Sequence, residues 1–78
     1  NYTSLESKSM IDESQLMIKE LDENYKNLER ELKETGDQRV AAAMINNYKS
    51  RIKILETLVQ KLNYVNQLKQ EKNENITI

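Results

Sequence analysis

A chain of 78 residues allows one small domain at most. It contains no cysteine, histidine or proline, which excludes disulfides, zinc sites of the usual kind and histidine acid–base catalysis together. The formal net charge is −1, and no apolar run approaches the roughly 18 residues of a membrane span. We therefore expect a soluble domain. Because the chain does not begin with methionine, we also expect it to belong to a longer protein.

The first predicted helix covers about residues 4–35. Thr3 and Glu6 match a T-x-x-E capping box, in which each side chain satisfies a free main-chain amide of the first turn. Residues that can be buried then recur every three or four positions, which is the spacing of one face of an α-helix. This stripe consists of Met10, Ser14, Met17, Leu21, Tyr25, Leu28 and Leu32.

Gly36 and Asp37 form the predicted turn. Glycine adopts the left-handed conformation without steric cost, which suits the position just past a helix C-terminus. Aspartate is a favoured N-cap, so Asp37 can begin a second helix. A connection this short makes the two helices antiparallel. The second helix is predicted over about 38–71, the whole hairpin over 1–72 and a frayed tail over 73–78.

The apolar stripe of the second helix is wide enough to meet two partners. If the chain folds back at the turn, residues that face each other have numbers adding to about 73, which pairs Tyr25 with Tyr48. Leu58 and Val65 broaden the stripe, so we predict that they form a second seam between two hairpins. The other residues predicted to carry the interface are Met17, Leu21, Tyr25, Tyr48, Ile52, Leu55, Val59 and Leu62.

Charge separates between the two halves of the chain. Residues 1–36 contain nine acids and five bases, a net charge of −4, whereas residues 37–78 contain four acids and seven bases, a net charge of +3. The helices therefore attract each other, and they also attract the opposite helix of a second hairpin. A lone hairpin leaves each stripe half exposed, so we predict an all-α, coiled-coil-like hairpin that dimerises into a four-helix bundle or docks on another part of its parent protein.

Candidate chemical sites are weak. The adjacent carboxylates Asp12 and Glu13 fit a solvated helix face better than a metal site. The basic cluster Lys49, Arg51 and Lys53 has no interleaved aromatic residue, so nucleic-acid binding is not predicted. The chain has no glycine-rich phosphate loop and no nucleophile paired with a base. We predict no enzymatic activity, no cofactor, no metal and no small-molecule substrate.

From Met10 to Leu68 the chain resembles the C-terminal helical region of single-pass bacterial membrane proteins that are encoded beside extracytoplasmic-function sigma factors and are regarded as anti-sigma factors. The segments that carry the resemblance are Asn24-Tyr25-Lys26-Asn27-Leu28, Gly36-Asp37-Gln38-Arg39-Val40, Ala43-Met44-Ile45-Asn46-Asn47-Tyr48, Arg51-Ile52, Leu55-Glu56 and Leu58. The sigma-binding segment and the membrane span of that family are absent from these residues.

The resemblance implies an interaction domain placed after a membrane span, on the periplasmic side, with a role in signal sensing or dimerisation for transcription regulation. A cytoplasmic location is the alternative. Two other functions remain open from the residues themselves: a rigid helical spacer that holds other domains apart, and an adaptor that binds a partner helix in its groove.

Overall fold

The computed structural model describes the backbone of residues 2–77 and the side chains of residues 5–68 and of Gln70. Two helices, α1 (Tyr2–Thr35) and α2 (Gln38–Thr77), account for nearly all of it. They pack side by side as a hairpin of about 65 × 17 × 9 Å, and no strand occurs in the described residues. The predicted all-helical hairpin is confirmed.

The turn follows the chemistry of its two residues. Gly36 has a φ of 62°, and its amide donates to the carbonyl of Leu32 at 2.7 Å, which closes the last turn of α1. A Cβ added to Gly36 would meet no atom within 4 Å, so the need for glycine comes from the backbone conformation alone. The hydroxyl of Thr35 also donates to the carbonyl of Glu31, which satisfies one more carbonyl at this helix end.

Asp37 caps the N-terminus of α2. Its Oδ1 accepts a hydrogen bond from the main-chain amide of Arg39 at 2.8 Å, and its carbonyl accepts one from the amide of Val40. The guanidinium of Arg39 also donates to Oδ2 of Asp37 at 2.8 Å. This side-chain hydrogen bond, reinforced by the main-chain one, holds the pKa of the Asp37 carboxyl below its ordinary value.

The helix ends lie further out than predicted. α1 begins at Tyr2, so Thr3 lies inside the helix, and its predicted capping side chain is outside the described residues. α2 continues to Thr77, beyond the predicted end at 71 and through most of the tail predicted to fray. No glycine or proline follows Gly36 in the sequence, so no residue that terminates helices interrupts α2.

The pairing of the helices follows the predicted register. The rings of Tyr25 and Tyr48 are 5.6 Å apart, and Arg51 contacts Asp22; in both pairs the residue numbers add to 73. Val65 (2% exposed) and Val40 (8% exposed) are the most deeply buried apolar residues described. No large side chain among those described is fully buried, as expected for two helices packed without a third layer.

Candidate interaction surface

Two parallel stripes run along α2, one position apart in the sequence. The hairpin seam of α2, which we define as the residues buried or half-buried against α1, recurs every three or four residues. It comprises Val40, Met44, Asn47, Arg51, Ile54, Leu58, Leu62 and Val65; Ala41 and Ala43, near the turn, are also half-buried but lie outside this series. A second set follows at the next position after five of these residues, and one position turns about 100° around a helix. It therefore lies on the flank of the hairpin.

We call this second set the outer stripe; it consists of Ile45, Tyr48, Ile52, Leu55 and Val59. Each of these residues keeps 49–57% of its surface exposed. Their spacing of three and four residues is that of a heptad seam, and it continues for two heptads along one side of α2. An exposed and contiguous apolar stripe of this kind is typical of a surface that binds another helix.

The predicted division of the apolar face of α2 is wrong. Leu58 and Val65, predicted for a seam between hairpins, are half-buried and buried within the hairpin itself. The reason is a shift of one position: polar Asn47 and Arg51 occupy seam positions, so their apolar neighbours turn outward. The predicted interface residues that lie exposed are Met17, Tyr48, Ile52, Leu55 and Val59, and those that lie half-buried in the hairpin are Leu21, Tyr25 and Leu62.

The described residues of α1 form no exposed apolar stripe comparable to the outer stripe of α2. The large apolar residues of α1 that stay exposed among those described are Leu5, Leu16 and Met17, which do not share a heptad spacing. Ile11 and Ile18 are half-buried and share the three- and four-residue spacing of the buried Ser14 and the half-buried Leu21, so they belong to the seam. The surface available for a second helix is therefore provided by α2.

A polar layer crosses the middle of the hairpin seam. The amide nitrogen of Asn47, a residue only 5% exposed, donates to the main-chain carbonyl of Leu21 at 2.8 Å. One turn along α2, the guanidinium of Arg51 lies 3.3 Å from the carboxylate of Asp22 and 3.4 Å from the same Leu21 carbonyl. The layer thus joins two side chains of α2 to one short segment of α1.

Aromatic rings close one side of this layer. Tyr25 and Tyr48 meet edge to face, with an angle of 84° between their planes. The Arg51 guanidinium carbon lies 5.1 Å from the centre of the Tyr25 ring and 5.4 Å from that of Tyr48, within cation–π distance of both. Tyr48, the half-exposed member of the pair, also belongs to the outer stripe, so the polar layer and the exposed surface share one residue.

The polar layer is incompletely satisfied. No described residue forms a hydrogen bond with Oδ1 of Asn47 or with Nε of Arg51, although both atoms are buried. Such unpaired atoms cost stability. A buried polar residue in a helical seam also opposes other registers, since a slipped pairing would bury it against apolar side chains. The layer therefore favours the single pairing in which Asn47 reaches the Leu21 carbonyl.

An open groove of about 300 Å³ lies on the side of the hairpin away from the outer stripe. Its lining is mixed in polarity: it includes the apolar residues Met10, Met17 and Ile54 together with Lys53 and Lys61. Glu13, also in the lining, offsets one of the lysine charges.

The described residues contain no group of three or more acids able to hold a metal ion. Neither helix has a described segment long and apolar enough to cross a bilayer. Comparisons with protein families, characterised proteins and solved structures return no match to this chain.

Proposed function

We propose that this hairpin is a non-enzymatic self-association domain, which forms a homodimer through the outer stripe of α2. The observation that carries the proposal is the exposure of five large apolar residues at heptad spacing on one helix. Single exposed apolar residues are normal on protein surfaces, but a continuous seam of them is a feature of helices that bind other helices.

The area of the outer stripe is consistent with a dimer. Five large side chains, each about half exposed, present on the order of 500 Å² of surface. Two copies together would bury on the order of 1,000 Å², which is the lower bound for a specific interface. Burial of this surface would also give the hairpin the third layer that its own two helices lack.

The resemblance described above suggests the wider context. We propose that the domain belongs to a membrane-anchored regulator of the anti-sigma type, in which it dimerises or senses a signal on the periplasmic side. No residue of this chain is assigned to sigma-factor binding.

The test is the solution mass of the protein by light scattering over a hundredfold concentration range. We expect a helical dimer whose melting temperature rises with concentration. Ile52→Glu places a charge in the outer stripe and should leave a monomer that is still helical. The matched control is Asn46→Glu, which adds the same charge at an exposed position outside the stripe and should remain dimeric.

The other outcomes are also informative. A wild-type protein that is a stable helical monomer at every concentration would refute self-association and support a spacer. A monomer that becomes helical only after addition of a separate helical peptide would refute it in favour of an adaptor. Equal effects of the two glutamate variants would show that the outer stripe is not the interface.

A further inference from the structure

We infer that the two copies pair α2 against α2 in antiparallel orientation, with the two-fold axis between Ile52 and Leu55. This inference rests on the proposed self-association and specifies its geometry. The outer stripe of one copy thus packs against the outer stripe of a second copy.

The two helices differ in the apolar surface that they expose. The outer stripe belongs to α2, and α1 presents no continuous apolar surface among its described residues. A bundle in which α1 of one copy packs on α2 of the other would bury the outer stripe against polar side chains of α1. Pairing α2 with α2 instead matches apolar surface with apolar surface. This apolar burial outweighs the charge preference for the opposite helix expected from the sequence, because exposed charges contribute little to stability.

The apolar layers of the outer stripe match in an antiparallel register. In an antiparallel pair of helices, each residue meets the one whose number, added to its own, gives a constant. A constant of 107 brings Ile52 opposite Leu55 and Tyr48 opposite Val59 of the second copy, and Ile45 opposite the half-buried Leu62. By the two-fold symmetry, each of the six apolar positions in one copy then meets an apolar position of the other copy.

The charges beside the outer stripe also favour antiparallel pairing. Lys49 and Glu56 are exposed, lie one heptad apart and border the same edge of the outer stripe. Antiparallel pairing brings Lys49 close to Glu56 of the second copy, and the two-fold axis repeats the pair. In a parallel pair, the same edge would face Met44 and Arg51. Met44 carries no charge, and Arg51 is directed into its own seam.

Disulfide trapping tests the orientation, since the natural chain has no cysteine. Tyr48→Cys and Val59→Cys are prepared as separate single variants. The two-fold axis lies midway between Tyr48 and Val59. At 1.5 Å per residue, Tyr48 of one copy is therefore about 16 Å from Tyr48 of the other, and the same holds for the two copies of Val59. That exceeds the distance of about 7 Å that a disulfide can bridge between Cα atoms. We expect a disulfide dimer on oxidation of the mixture and none from either variant alone.

The outcomes separate this inference from the proposed function. A disulfide formed by Tyr48→Cys alone would show a parallel pair, which overturns the orientation but retains self-association. A dimer by mass that gives no disulfide in the mixture would overturn the antiparallel register that sets Tyr48 opposite Val59. A monomer by mass under all conditions would overturn the proposed function itself.

Charge reversal gives an independent measurement. Lys49→Glu alone and Glu56→Lys alone should each raise the dimer dissociation constant roughly 3- to 10-fold, because each change converts two exposed ion pairs into two like-charge contacts. The double variant Lys49→Glu/Glu56→Lys should restore the dissociation constant of the wild type. Failure of the double variant to recover affinity would contradict the antiparallel register.

Discussion

Replacement of Asn47 by leucine is expected to stabilise the hairpin. Asn47 is 5% exposed, and its Oδ1 has no partner among the described residues, whereas its nitrogen makes one hydrogen bond to the Leu21 carbonyl. The Leu21 carbonyl lies inside α1, so it keeps its helical acceptor role after the change. The substitution therefore removes a buried unpaired atom without leaving a new one.

The magnitude follows from three contributions. Loss of the Asn47 hydrogen bond costs about 1 kcal/mol, and removal of the unpaired oxygen returns about 1–3 kcal/mol. Burial of a leucine side chain adds up to about 1.5–3 kcal/mol, less where the site fits it imperfectly. We expect a net gain of about 2 kcal/mol, which for a domain of this size raises the melting temperature by about 10 °C.

The assay is thermal unfolding followed by circular dichroism at one fixed protein concentration. Asn46→Leu is the matched control, because it makes the same substitution one position away at an exposed site and reports the change in helix propensity alone. A melting temperature of Asn47→Leu below that of the control would refute the reasoning, since it would mean that the hydrogen bonds of Asn47 outweigh the cost of its unpaired oxygen.

Two further predictions concern the seam and the cap. Val65→Ala should lower the free energy of unfolding by about 1–2 kcal/mol at every protein concentration because Val65 is buried in the hairpin, whereas Val59→Ala should lower the melting temperature only at concentrations where the protein dimerises. Equal effects at high dilution would contradict the distinction between seam and outer stripe. Because the pKa of Asp37 is lowered in the folded state, its stabilising contribution is present above the unfolded pKa of about 4 and is lost as the pH falls through the folded value. Below about pH 4, the melting temperature should therefore fall less with decreasing pH for Asp37→Asn than for the wild type. Melting temperatures that fall equally with pH in the two proteins would refute the role of this carboxylate.

The local rules of the sequence were sufficient to predict the turn and the register. Gly36 and Asp37 act through backbone conformation and capping, which depend on a few neighbouring residues. Folding back at that turn then pairs Tyr25 with Tyr48, because a rigid helix propagates the register along its length. The same argument explains why the fold class could be predicted.

The division of α2 into seam and outer stripe could not be predicted from hydrophobicity. The two stripes differ by one position, and the more apolar run around Tyr48 and Ile52 is the one left exposed. Asn47 and Arg51 are directed into the seam because both reach the Leu21 carbonyl and Arg51 also reaches Asp22. The positions of the seam could have been recognised from the spacing of three and four residues that begins at Val40. That pattern is not evident from hydrophobicity because two of its positions, Asn47 and Arg51, are polar.

The ends of α1 and α2 that lie farthest from Gly36 are at the same end of the hairpin. A mechanical load applied through Tyr2 and Thr77 would therefore peel the helices apart one turn at a time, as a zipper opens, rather than shear the whole seam at once. Opening would pass Val65 first and would then reach the layer that contains Asn47 and Arg51. The hairpin should yield at low force, because only one turn of the seam separates at a time.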